Sequence, residues 1–104
     1  MVNQNVIKFE DIEFQTTPEY YWFSEDKPGA IARVKFDNGY ELSVVTHNTS
    51  YGGSQGLYEI MLFNSTGDAV IRPPITDDDD PIRGWCTPEM VSGALIYTAG
   101  LGDE

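Results

Sequence analysis

Apolar and polar positions alternate most regularly between residues 30 and 45. Ala30, Ala32, Val34 and Phe36 interleave with Ile31, Arg33 and Lys35, the period-two pattern of a strand with one face turned to a core. Asp37-Asn38-Gly39 then offers residues that tolerate positive φ, and Tyr40, Leu42 and Val44 resume the alternation against Glu41, Ser43 and Val45. This predicts a β-hairpin. A nine-residue loop of small and polar residues, Asn48 to Gly56, is long for a hairpin connection and a place for function. A further strand is predicted over 58–63, where Tyr58, Ile60 and Leu62 face Glu59, Met61 and Phe63. The turn Asn64-Ser65-Thr66-Gly67-Asp68 leads to a short strand predicted at Ala69–Arg72, which Pro73-Pro74 ends by removing two backbone donors.

The flanks are less regular. Phe9, Ile12 and Phe14 fit neither period, and the first residues are read as a loose lead-in. Tyr20-Tyr21-Trp22-Phe23 is aromatic enough to predict a strand, closed by the turn composition of Ser24 to Gly29. At the other end Thr87-Pro88-Glu89 is a helix start in the expected order, an N-cap hydroxyl followed by proline and an acid. Val91, Ala94, Leu95 and Thr98 fall on one face, with Met90 and Tyr97 beside it, and Gly100 and Gly102 suit the stop. Together these elements predict one α+β domain over residues 1–104, an antiparallel meander of about four to five strands with one short C-terminal helix.

Charge changes the picture most. Seventeen Asp and Glu against six Lys and Arg give a formal net charge of −11. Such a surface repels nucleic acid and anionic lipid, which excludes direct nucleic-acid or membrane binding. It favours fast, salt-sensitive association with a basic partner, and it also serves solubility alone. Cys86 is the single cysteine, so no intramolecular disulfide or multi-cysteine metal cluster is available, and a reducing cytosol is the expected compartment. No signal-peptide core and no apolar run of roughly 20 residues is present.

Candidate chemistry is sparse. His47 is the single histidine, so a nucleophile–base pair would have to join it to Cys86, and a carboxylate dyad would have to join Glu41 to Glu59. Neither carries a signature, and no enzyme, cofactor or metal is expected. Asp77-Asp78-Asp79-Asp80 has Asp-x-Asp spacings that suit a hard cation but lacks the glycine and distal glutamate of a calcium loop. Gly52, Gly53 and Gly56 form a glycine-rich loop with no lysine after it, unlike a phosphate-binding loop. Partner binding remains. Glu25, Asp26 and Asp77 to Asp80, if they share a side, would resemble backbone phosphates to a nucleic-acid-binding protein, and Trp22 and Trp85 are anchor candidates as well as core candidates.

Phe36-Asp37-Asn38-Gly39-Tyr40, Ser43-Val44-Val45, Tyr51-Gly52-Gly53, Gly56-Leu57-Tyr58-Glu59 and Pro74-Ile75-Thr76-Asp77 together resemble a group of small tailed-bacteriophage accessory proteins of no assigned function, over roughly residues 30–80. The resemblance implies a setting, the cytoplasm of an infected bacterium, in which a small acidic protein binds a host protein with a basic surface. The expectation is an inhibitor of a host nucleic-acid-handling or defence protein, such as a restriction or CRISPR nuclease, acting as a nucleic-acid mimic. A small metal- or ligand-binding module and a structural virion component are the alternatives. The aromatic run at 20–23 and the lengthened Asp run fall outside the resemblance.

Overall fold

The computed structural model describes residues 7–102. Five strands form one antiparallel sheet in chain order: β1 (Gln15–Thr16), β2 (Ala30–Lys35), β3 (Glu41–Thr46), β4 (Tyr58–Phe63) and β5 (Ile82–Cys86), followed by the helix α1 (Pro88–Ala99). The architecture is the α+β meander with one C-terminal helix that the pattern predicts.

The alternation at 30–45 becomes the β2–β3 ladder, in register from Ala30↔Thr46 to Lys35↔Glu41. Partners in register share a face. Ala32, Val44 and Ile60 therefore point one way with Leu42 and Leu62, and all five are buried. Val91, Ala94 and Leu95 of α1 close over this layer. Thr98, the fourth residue of the predicted helix face, is fully buried and donates its hydroxyl to the carbonyl of Ala94 at 2.7 Å. The helix begins as its sequence dictates, with Thr87 Oγ1 accepting the Met90 N–H at 3.2 Å. Phe9, Ile12 and Phe14 of the lead-in pack against the same core, and Phe9 meets Tyr58 edge-on at 5.1 Å.

The β2–β3 turn also ends the helix. Gly39 adopts φ 96°, and this turn carries Asn38 to the C-terminus of α1. There the Asn38 Nδ2 donates to the carbonyls of Thr98 at 2.8 Å and Leu101 at 3.1 Å, while its Oδ1 accepts the Tyr40 N–H at 3.1 Å. The Thr98 carbonyl, which also accepts the Leu101 N–H at 3.2 Å, and the Leu101 carbonyl just past the helix are thus tied to the sheet by one side chain.

Two expectations are corrected. Tyr20–Phe23 is not a strand: Glu19–Tyr21 is a 3-10 turn, with Tyr21 N–H donating to Pro18 O and Trp22 N–H to Glu19 O, both at 2.9 Å. Pro18, fixed near φ −55°, starts this turn, and four consecutive aromatics offer no alternation for a sheet to use. Ala69–Arg72 is not a strand either. It makes one bridge, Phe63↔Ala69, before Ile71 and Arg72 turn outward to solvent. The place beside β4 is taken by β5, whose pattern is broken by a bulge: Tyr58↔Cys86 and Ile60↔Arg83 leave one extra residue on β5.

At the other edge, β1 pairs with β2 only at Gln15↔Ile31 and Thr16↔Ala30. Alternate strand residues direct their backbone groups to opposite edges. Because Thr17 N–H donates to Gly29 O at 3.0 Å, Arg33 and Lys35 direct theirs outward, beyond the reach of β1. A cleft of about 560 Å³ lies there, lined by Ile7, Ile12, Ile31 and Val34 together with charged neighbours.

Candidate partner-binding surfaces at the two ends of the sheet

Strand register divides the candidate residues between two ends. Ile82 stands level with Met61 and Ser43, so Asp77–Asp80, just before β5, lie toward the end marked by Lys35, Glu41 and Phe63. The exposed Asp37 of the β2–β3 turn and the exposed Asp68 of the 64–68 turn lie at that same end. All four residues of the Asp run are exposed. Asp80 Oδ1 caps the Ile82 N–H at 3.0 Å, and Asp77 gives its carbonyl to the Thr76 hydroxyl at 3.0 Å. Among the described residues the one salt bridge is Arg33–Glu41 at 3.7 Å, so no carboxylate of this acidic end is ion-paired; Arg83, whose guanidinium donates to Pro74 O, lines the same cleft as Asp77–Asp79.

Glu25 and Asp26 do not join them. They sit in the excursion between Thr17 and Gly29, past the Ala30↔Thr46 end of the ladder, where the Ser24 hydroxyl donates to Asp26 Oδ1 at 2.9 Å. The two acidic segments that sequence reasoning would align as one row occupy opposite ends of the sheet. Trp22 lies with Glu25, half-buried, its indole N–H donating to Thr17 O at 2.9 Å.

Trp85 marks the second surface. It is 53% exposed, as is Tyr51, and the two rings stack with centroids 5.4 Å apart and planes 16° from parallel. Trp85 is the extra residue region of the β5 bulge and has φ 53°. This is the left-handed region, which costs a bulky side chain about 1–2 kcal/mol relative to glycine. Three glycines let the backbones meet closely enough to align the rings. A Cβ on Gly52 would come within 2.9 Å of Trp85 Cα, one on Gly84 would strike Tyr51 Cβ, and one on Gly53 would strike the His47 carbonyl. Trp85 N–H donates to Tyr51 O at 3.1 Å, and Tyr51 N–H donates to Glu59 Oε1 at 2.8 Å. The same loop carries the His47 ring to 4.9 Å from Tyr21, which meets Tyr20 at 5.2 Å. The result is an aromatic end with Glu59 tied to its stack and with Glu25, Asp26 and Lys27 in the excursion at the same end. The sequence does not single out Tyr51, because the ring it stacks on lies in a distant segment. The glycines around it were its visible signal, and they serve close packing and not a phosphate cradle.

The catalytic arrangements weighed from sequence do not assemble. Glu41 pairs with Phe63 and Glu59 with Val45, which places the two carboxylates at opposite ends of one ladder. Cys86 is fully buried, its thiol directed to the carbonyls of Arg83 at 3.5 Å and Gly84 at 3.6 Å. Burial pushes this thiol up from its ordinary range, Asp77 and Glu59 add to the rise, and Arg83 opposes it. A thiol so placed is the opposite of an activated nucleophile. His47 Nδ1 accepts from the Thr49 N–H at 3.2 Å and its ring is engaged by Tyr21. Among the described residues no three His, Cys, Asp or Glu side chains converge to hold a metal ion, and no helix is long and apolar enough to cross a membrane.

Comparison with known protein families, curated proteins and solved structures returns no match.

Proposed function

We propose that this chain is a phage-encoded, stoichiometric binding protein that docks on the basic surface of a host nucleic-acid-handling or defence protein and so occludes it. The observation that carries this reading is the exposed acidic end: Asp77–Asp80 are all exposed, four carboxylates against the one nearby cation Arg83, in a chain of net charge −11 with one ion pair among its described residues. Charges left without partners contribute little to folding, while their summed field accelerates encounter with a cationic partner by roughly 10- to 1,000-fold. A groove built for nucleic acid supplies the complementary charge, and the Asp run competes there for the same arginines and lysines as a phosphate backbone. Mimicry in this form rests on the acidic end alone, since Glu25 and Asp26 lie at the other end of the sheet.

The test captures basic nucleic-acid-binding proteins from bacterial lysate on the immobilised chain and elutes them with duplex DNA. Specific elution by DNA, and at least tenfold slower association after Asp77–Asp80 are all replaced by Asn, is the expected outcome. Capture that resists DNA and tolerates the fourfold substitution would refute the proposal.

A further inference from the structure

We propose that the Tyr51–Trp85 stack is a platform for an arginine side chain of the partner. The inference rests on the basic partner of the preceding section and adds a second contact, at the other end of the sheet, with a defined chemistry. Glycine would occupy the backbone of residue 85 without strain, so the bulge does not require an indole there. What tryptophan adds is a half-exposed ring, held flat beside a second half-exposed ring by the close approach of Gly52 and Gly84. Strained residues that persist despite an unstrained alternative mark binding and catalytic positions.

Charge identifies the occupant. Glu59, anchored through the Tyr51 N–H, stands opposite the bulge in the ladder, and the excursion at the same end carries Glu25 and Asp26 against the single cation Lys27. The chain already places its own cations on aromatic faces elsewhere, Lys27 over Phe23 at 5.0 Å and Arg33 over Phe63 at 5.5 Å. Among the described residues no cation covers Tyr51 or Trp85. A carboxylate tied to the base of an uncovered aromatic stack favours a cation on it, and a planar, weakly hydrated guanidinium stacks on such a face better than a compact ammonium.

The experiment titrates the full chain with hexa-arginine amide and hexa-lysine amide at low salt, following the two indole N–H signals by NMR. The Trp85 signal is expected to move and the Trp22 signal, held by Thr17 O, to stay. Hexa-arginine should bind at least threefold more tightly than hexa-lysine. Trp85→Gly and Trp85→Asn, both compatible with the left-handed backbone, should weaken hexa-arginine at least tenfold and erase the preference. Replacing Asp77–Asp80 by Asn should weaken both peptides alike and leave the preference intact. Equal binding of the two peptides by the native chain, or undiminished hexa-arginine binding by both Trp85 variants, overturns the platform and leaves the acidic-end reading standing. Failure of both peptides to bind at all overturns both. A Trp85 shift produced by oligoproline or an oligosaccharide, with none from hexa-arginine, overturns it in favour of an uncharged ligand.

Discussion

Asn38→Ala would remove three hydrogen bonds at once, two to carbonyls at the C-terminus of α1 and one from the Tyr40 N–H. Each is worth about 0.5–1.5 kcal/mol net, and the Thr98 carbonyl keeps its Leu101 N–H partner at 3.2 Å. The expected loss is about 2–3 kcal/mol, a large share of the 5–15 kcal/mol typical of a domain. At roughly 4–8 °C per kcal/mol for a chain near this size, the midpoint of thermal unfolding should fall by more than about 8 °C. Asn38→Asp sharpens the test. It keeps the acceptor for Tyr40 but loses both donors, and it sets a carboxylate against the negative end of the helix dipole, which costs about a further 0.3–1 kcal/mol. That carboxyl is more easily protonated in the folded than in the unfolded chain. The added penalty is therefore absent below its unfolded pKa and grows as pH rises through the folded value. Urea unfolding at pH 7 and pH 4, at constant m, measures both effects. A loss under about 0.5 kcal/mol for Asn38→Ala, or an Asn38→Asp penalty that does not shrink toward acid, would refute the capping argument.

Other outcomes follow from the same structure. Trp85→Gly exchanges backbone relief of about 1–2 kcal/mol for a lost ring contact of about 0.5–1.5 kcal/mol, so its unfolding midpoint in urea should match the native one closely. A loss above about 2 kcal/mol would mean that the indole supports the fold. Gly53→Ala drives a methyl into the His47 carbonyl and Ser50 Oγ and should cost about 1–3 kcal/mol by denaturant titration. The Cys86 thiol, raised above its ordinary range by burial, should react with a disulfide reagent at least tenfold more slowly in the folded than in the urea-unfolded chain. Its contribution to stability is complete below the unfolded thiol pKa of about 8.5 and is lost as pH rises through the folded value, which unfolding at pH 8 and pH 10 will show.

Local chemistry made the centre of the fold legible. Ala32, Leu42, Val44, Ile60 and Leu62 alternate as a half-buried sheet demands, and Thr87-Pro88 starts α1 with signals that act over one turn. The strand β5 was not legible because its bulge destroys the alternation at Gly84 and Trp85. Tyr20–Phe23 misled for the complementary reason: aromatic content suggests a strand, but Pro18 and the absence of a period decide against one. Of the candidate surfaces, the exposure of Asp77–Asp80 was evident from charge alone, since four adjacent carboxylates have no place in a core. Their separation from Glu25 and Asp26, and the meeting of Tyr51 with Trp85, are facts of register, and register depends on which strands pair across long stretches of chain.

The two margins of the sheet have a bearing on how this protein behaves at high concentration. A bare strand margin invites the same margin of another molecule, and repetition of that contact builds fibres. Here, among the described residues, β1 covers the β2 margin as far as Ile31, and an approaching strand would next meet the charged side chains of Arg33, which is paired with Glu41, and Lys35. The β5 margin is interrupted by its bulge, so an incoming strand would lose step after a few residues. The twist that gives Trp85 its unusual backbone thereby also works against stacking of copies, and straightening it by deleting one residue from the bulge would be the shortest route to a chain that assembles on itself.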